Sequence, residues 1–425
     1  MRILVENSGY ALTNMGDLSM LQTAVSRLRN LWPNAHIDVF THNLKELSNV
    51  CPGAYPLRGS KSFPWVTPVP SLLYRSISAP SAWKYISELE WKAHQKLPFL
   101  TRFGLLKKLA KFDRDHDLSP QLNAIRAADL IVATGGGYLT DSFPNKAKRT
   151  LGILNLSTWL NKPTVLLGHG LGPLENSELN RKTSVVLPRV TFISLREGKA
   201  SMPLLTSLKV SPSKVITVGD DAIELAYQVR SDTVGTGIGV NLRVSRYSNV
   251  ESDAIEKVRS ALHEAAIRRE APLIPVPIAH QSGEDDPKAI QSLLRGYDDD
   301  SDGGRNLNTP IKVAKQVGGC RVVVTGSYHA GVFALSQGIP VVALAKSQYY
   351  QDKFLGLAEQ FGTGCEILYL SDEQLKDKLI AAIERAWSAF EVTRTPLLTA
   401  AKLQIEQSWA AYKKVYQLFG EGSRQ

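Results

Sequence analysis

The chain has 425 residues, 43% of them hydrophobic and 21% charged, with a net charge of +10. That length predicts two or three cores, and the composition excludes a wholly disordered or fibrous chain. No run of 18 apolar residues occurs, so no spanning helix is expected.

Other broad classes fall away on similar grounds. The opening Met1-Arg2-Ile3-Leu4-Val5-Glu6-Asn7 puts an acid and an amide where a signal peptide needs its apolar stretch. The expectation is a cytoplasmic protein, with the inner face of the membrane as an open location. Cys51, Cys320 and Cys365 are far apart and form no CxxC pair, so neither a disulfide framework nor a cysteine zinc site is expected. No HExxH or similar pattern suggests another metal. The positive charge suits phosphorylated or carboxylated metabolites, anionic membrane surfaces or nucleic acid. Without a compact basic run, a zinc finger or an RNP-like pattern, nucleic acid is the least supported of these.

Taken in chain order, Arg2 to Val5 is a short apolar strand. After a Gly/Asn/Thr loop and Asn14-Met15-Gly16-Asp17, apolar residues from Leu18 to Leu31 recur at helical spacing, with Asp17 expected as N-cap. His36 to Phe40 is the second strand. Residues 55 to 120 interrupt the rhythm with eleven Lys and Arg, five Asp and Glu, and Trp65, Trp83 and Trp91. They predict a partly helical insertion, either a packed cap or a flap touching acceptor or membrane. Near-continuous apolar strands follow at Ala128 to Ala133, Pro163 to Leu167, Thr191 to Leu195 and Val215 to Val218, as in a parallel sheet covered on both faces. A polar, Gly-containing linker is expected at 228 to 237. Further strands follow at Ile238 to Leu242, Leu273 to Val276, Arg321 to Thr325 and Val341 to Ala345. The C-terminal stretch has helical periodicity.

The pattern predicts an α/β fold of two Rossmann-like parallel-sheet domains facing a cleft. The first covers 1–230 with the insertion at about 55–120, and the second covers 236–380. Helices over 381–425 are expected to pack back on the N-terminal domain.

Ligands of open parallel sheets bind beyond the carboxyl ends of the strands, which ranks the candidate residues. Gly135-Gly136-Gly137 and Gly168-His169-Gly170 each follow a strand and are expected as turns that bring backbone amides close to an anion. Neither ends in the Gly-Lys-Ser/Thr of a P-loop. His329 follows Val322 to Thr325 and opens an apolar helix, so its imidazole suits acid–base work at the binding edge. His169 holds the matching place in the first domain. Arg196 and Arg243 are the best partners for carboxylate or phosphate, and Lys353 lies in another loop beyond a strand. Ser347 and Tyr328 add hydroxyls. Asp220 and Asp221 cap a helix or hold a cation.

These pieces resemble, in order, the motifs of the polysaccharide pyruvyl transferase family. Asn14-Met15-Gly16-Asp17 resembles its N-x-G-D opening, and Ala128-Asp129 through Gly137 its D-hydrophobic-GGG segment. Gly168 through Pro173 resembles its G-x-G-[IL]-G-P turn. Ile193-Ser194-Leu195-Arg196-Glu197 with Ser201 resembles its S-x-R-[DE]…S segment, and His329 through Pro340 its H-A…G-[IV]-P block. The resemblance runs from residue 3 to about 358, leaving out the insertion and the tail. It implies a GT-B-like fold and transfer of pyruvate from phosphoenolpyruvate, as co-substrate, onto two hydroxyls of a cell-surface or exopolysaccharide glycan. No resident cofactor is implied. His329 and His169 become acid–base candidates, and Arg196, Arg243, Lys353 and Gly135 to Gly137 donor-binding ones. Asn14, Asp17, Ser327 and Tyr328 become acceptor or cleft residues. The acceptor is a saccharide, with lipid linkage and peripheral membrane contact open. The family commonly has arginine where this chain has Ser327, and Arg243, Lys346 or Lys353 are the cations available to replace it. The alternatives are a nucleotide-sugar glycosyltransferase of the same architecture and a non-catalytic glycan-binding relative.

Overall fold

A computed structural model describes residues 1–7, 9–66, 80–116, 119–243, 252–281 and 283–420. The chain divides into two compact units: Met1–Ala11, Ala24–Thr217 and Ala410–Gln425 form one, and Leu12–Thr23 with Val218–Trp409 the other.

The first unit is built on β1 (Arg2–Glu6), β2 (His36–Thr41), β3 (Tyr55–Arg58), β4 (Leu130–Ala133), β5 (Gly136–Leu139), β6 (Thr164–Leu171), β7 (Phe192–Leu195) and β8 (Val215–Thr217). Their order is β3-β2-β1-β4-β6-β7-β8, with β5 pairing to β6, and every pairing is parallel. Strands such as Leu130-Ile131-Val132-Ala133 are buried throughout because helices cover both faces of a parallel sheet. Leu4, Ile131, Leu166 and Ile193 meet Leu151, Leu154 and Trp159 of the helix Pro144–Trp159 in the core.

The second unit contains β9 (Gly237–Asn241), β10 (Leu273–Pro275), β11 (His280–Gln281), β12 (Glu284–Asp285), β13 (Cys320–Thr325), β14 (Val341–Ala345) and β15 (Cys365–Tyr369). Five of these form a parallel sheet in the order β10-β9-β13-β14-β15, and β11 and β12 make a small antiparallel pair. The Val-rich strands pack on Val258 and Leu262 of the helix Ser252–Arg269 and on Leu379 and Ile383 of Leu375–Ser388.

Several expectations change. The helix Met15–Leu31 starts before Asp17, and Asn14 Oδ1 accepts from the Gly16 and Asp17 amides at 3.0 and 3.1 Å. Asn14 is therefore the cap, with Asp17 inside the first turn. Gly135 to Gly137 do not form a closing turn, because the chain re-enters the sheet as β5. Gly168 to Leu171 likewise continue β6 past the expected end at Leu167. The boundary expected near 230 falls between 217 and 218, and residues 12–23 group with the second unit.

The 55–120 stretch opens with a sheet strand, β3, and then forms helices Pro80–Lys96 and Pro98–His116. Part of its Pro- and Ser-rich portion lies outside the described residues. No helix among the described residues is long and apolar enough to cross a membrane.

Candidate functional site

In the second unit the chain runs from β9 outward to β10, then returns to the other side of β9 for β13. The carboxyl ends of β9 and β13 are where the winding reverses, the position at which open α/β sheets hold ligands. Arg243 follows β9, and Ser327-Tyr328-His329 follows β13 into the helix Tyr328–Leu335. Thr325 fixes that turn: its hydroxyl donates to Ser327 O at 3.1 Å and accepts from Ser327 N at 2.8 Å.

His329 is 9% exposed, with Nε2 at 3.8 Å from Asp220 Oδ2. That spacing exceeds a direct hydrogen bond and suits an ion pair or a bridging hydroxyl. Asp220 is itself fixed, its Oδ1 accepting from Ala222 N at 2.9 Å. The other wall is Gly16. A β-carbon there would lie 2.0 Å from His329 Cγ, so the ring rests directly on the first turn of Met15–Leu31. Backbone bonds tie this segment to the same unit: Met15 N donates to Ile278 O at 2.7 Å, and Asn14 bridges Ala279. The Asn-x-Gly-Asp opening thus caps a helix with its asparagine and makes room for an imidazole with its glycine.

Arg243 is buried and grips Asp286 in two-point fashion, Nε to Oδ1 at 3.0 Å and Nη2 to Oδ2 at 3.2 Å. Asp286 Oδ2 also accepts from Asn241 Nδ2 and the Ile278 and Ala279 amides at 2.9 to 3.0 Å. Much of the arginine's charge is therefore balanced inside the unit. Its Nη2 also donates to Ser327 Oγ at 3.1 Å, which puts a guanidinium beside the position of that serine. Lys346 Nζ donates to Arg243 O at 3.2 Å and lies over the Tyr350 ring. Lys353 sits 4.3 Å from the Tyr349 ring centre and 5.7 Å from that of Tyr328, whose ring is 5.3 Å from His329. A histidine, two carboxylates, an arginine, two lysines and three tyrosines thus gather around the ends of β9, β13 and β14.

The sequence-predicted residues of the first unit form a different arrangement. His169 lies on β6 between Gly136 of β5 and Leu195 of β7, and it is 0% exposed. Its Nε2 donates toward Ala133 O at 3.2 Å and meets Tyr138 Oη at 3.4 Å. Burial pushes the imidazole down to about 3, and the nearby Arg196 charge adds to this. His169 lies away from solvent, because β6 extends four residues beyond its predicted end and carries the ring into the core.

The Ser-x-Arg-Glu…Ser segment holds this extension. Ser194 Oγ accepts from Gly168 N at 2.9 Å, at a glycine with φ of 68°, and Ser201 Oγ accepts from Leu171 N at 2.9 Å. Ser201 donates to Glu197. Arg196 is buried against Gly170, where a β-carbon would lie 2.8 Å from its Nε. Gly135 and Gly136 are buried and Gly137 half-buried beside the same strands. No group of three or more His, Cys, Asp or Glu side chains suited to a metal occurs among the described residues.

Asp220 and Asp286 are the site residues that sequence reasoning undervalued. The sequence marks Asp220 only as a cap or cation ligand and does not mark Asp286. Their partners lie 109 and 43 positions away along the chain, so no local pattern points to them.

Two parallel α/β sheets, each with its winding reversed at a strand's carboxyl edge, define a GT-B-like fold. Comparison with solved structures agrees. The UDP-GlcNAc 2-epimerase from Neisseria meningitidis bound to UDP-GlcNAc matches 98% of this chain and 99% of its own, with a TM-score of 0.53 and 12% identity. Arabidopsis thaliana UGT89C1 complexed with quercetin matches 98% and 99%, with a TM-score of 0.54 and 9% identity. At such identities the likeness is one of fold.

Within that architecture the chain belongs to the polysaccharide pyruvyl transferase family, whose model matches residues 14–348. The amylovoran biosynthesis protein AmsJ from Erwinia amylovora is 20% identical over 260 residues, covering 56% of this chain and 60% of that protein. The chain is therefore a member of a transferase family related to an amylovoran biosynthesis protein, and the match spans about three fifths of that relative's length.

Proposed function

We propose that this chain transfers pyruvate from phosphoenolpyruvate to two hydroxyls of a glycan sugar, forming a ketal and releasing phosphate. The observation carrying this reading is the His329–Asp220 pair at the sheet's reversal point, beside Arg243, Lys346 and Lys353. The enol methylene must take a proton, after which the enol carbon accepts the first hydroxyl. Phosphate leaves with the electrons of its C–O bond, and the second hydroxyl closes the ketal. Each hydroxyl gives up its proton as it bonds. His329 donates and accepts these protons, and Asp220 stabilises its charged form.

The donor is doubly anionic in character, with a carboxylate and a phosphate. Lys346, Lys353 and the amides opening the helix Tyr328–Leu335 hold it. Arg243 serves where relatives commonly carry arginine in place of Ser327, reaching that position from β9 instead of β13. Asn14, Asp17 and Tyr328 line the acceptor side. Arg196 and Gly135 to Gly137 shape the first unit's binding edge from within, and His169 has no acid–base role. The acceptor is a saccharide of a cell-surface polysaccharide, lipid-linked during its assembly in the cytoplasm, and the enzyme needs no resident cofactor.

The test is phosphate release from phosphoenolpyruvate in the presence of oligosaccharide repeat units, read together with the product's mass. Acceptor-dependent release that His329→Ala abolishes supports the proposal. Thermal stabilisation by a nucleoside diphosphate, with none by phosphoenolpyruvate, would overturn it in favour of a nucleotide-sugar enzyme.

A further inference from the structure

The helices Pro80–Lys96 and Pro98–His116 are two-faced. On the first, Trp83, Ser87, Glu90 and His94 are buried, and Tyr85, Leu89, Lys92 and Lys96 lie on the opposite side. On the second, Leu105 and Leu109 are buried, and Phe99, Leu100, Phe103 and Leu106 are exposed. Phe99 is 81% exposed and Tyr85 64%. Seven of the eighteen exposed large apolar side chains among the described residues fall between 85 and 106, and Leu97 at the junction is one of them. Apolar residues scattered singly are ordinary on a protein surface, whereas a continuous group calls for an occupant.

Charge identifies that occupant. Residues 92–111 contain six Lys and Arg and no Asp or Glu, and the exposed Glu88 is outnumbered by the exposed Lys92, Lys96 and Lys107. Lys107 lies with its Nζ 4.6 Å above the Phe103 ring, its stem along the apolar surface and its ammonium at the edge. A second copy of this chain would bring the exposed Lys92, Lys96 and Lys107 against themselves, because a two-fold interface pairs identical patches. Neither helix is apolar enough to cross a bilayer. Exposed Phe, Leu and Tyr ringed by lysine match the interfacial region of an anionic bilayer, which accepts apolar side chains below its headgroups and cations among them.

We infer that the outward face of these two helices docks the protein peripherally on an anionic lipid surface. The inference stands apart from the proposed chemistry, because docking requires neither donor nor acceptor. Vesicle flotation of the full chain tests it, using phosphatidylglycerol/phosphatidylcholine vesicles and pure phosphatidylcholine vesicles at low and high salt. Binding should favour the anionic vesicles and weaken as salt rises. The variant F99S/L100S/F103S should bind at least about tenfold less, and K96E/K107E should lose the anionic preference. Both should keep the wild-type denaturation midpoint, since these side chains are exposed. Three results would overturn the inference: no flotation of the wild type at low salt, equal binding to both vesicle types, or unchanged binding of the apolar variant. A concentration-dependent dimer that F99S/L100S/F103S dissolves, without vesicle binding, would assign the face to a second copy instead.

Discussion

The two sheets reverse their winding in the same way, yet the residues at the two reversal points do opposite things. In the first unit the reversal lies between β1 and β4, where Glu6 ends its strand. Its carboxylate accepts from Arg149 Nε at 3.1 Å and Thr150 Oγ1 at 2.8 Å, and the Tyr10 hydroxyl also donates to it. Arg149 stacks 3.7 Å from the Tyr10 ring centre, and burial with the Glu6 charge keeps that phenol well above its ordinary range. The place where a ligand could sit is filled by the chain's own ions. In the second unit the inner ion pair, Arg243 with Asp286, leaves a histidine, a second carboxylate and two lysines around it. A sheet edge becomes a candidate site when it gathers titratable groups of both signs in one place.

The comparison breaks most sharply at His329. His329→Ala should reduce acceptor-dependent phosphate release by on the order of 10²–10⁴, with little change in denaturation midpoint. An equal loss of stability would make His329 a packing residue. At the other reversal point, Arg149→Met should leave the activity's pH profile alone and cost about 3–5 kcal/mol, because Glu6 would keep a buried charge without its partner. Urea denaturation measures this, and a cost near zero would remove the claim that the first edge is held shut by ions.

Gly16→Ala should lower turnover by roughly 10²-fold, because displacement of about 1 Å at a reacting group has that scale. The helix itself should tolerate alanine well. Full activity would show that His329 need not lie on Gly16.

The smallest effect concerns His169. Its imidazole is held down to about 3 against an ordinary 6.5. Between those values the unfolded chain binds a proton that the folded chain does not, so this histidine's contribution is intact above pH 6.5 and is lost as pH falls toward 3. At pH 5 the loss is about 2 kcal/mol. His169→Gln should therefore lose less stability than the wild type between pH 7 and pH 5, as read by urea midpoints. Equal losses would mean that the ring titrates in the fold.

Central strands were legible in the sequence because they are continuous apolar runs, and Val341–Ala345 matches its predicted bounds. Edge strands were not. β3 is Tyr-Pro-Leu-Arg, whose proline is tolerable only at an edge, and β15 is partly exposed along most of its length. Glycine misled at β5 and β6, where it signalled a turn but marks a bulged strand, with a register shift between Leu166 and His169. Of the candidate site, His329, Tyr328 and Arg243 follow from strand-end position, Ser327 stands out only against the family's arginine, and Lys353 lies in the helix Gln348–Phe361 and not in the expected loop. Asp220 and Asp286 required the fold, since their meaning lies in what they face.

The course of the backbone has a consequence for anyone who wishes to exchange parts between relatives. The chain passes from one unit to the other at 11/12, 23/24, 217/218 and 409/410. A chimera cut once near the middle would keep His329 and discard Gly16, giving a half-protein with the acid–base group but without the surface on which it rests. Any graft that carries specificity between family members has to move residues 12–23 together with 218–409. During synthesis, a peptide that emerges among the first two dozen residues waits for Ile278 and Ala279 until more than two hundred and fifty have followed.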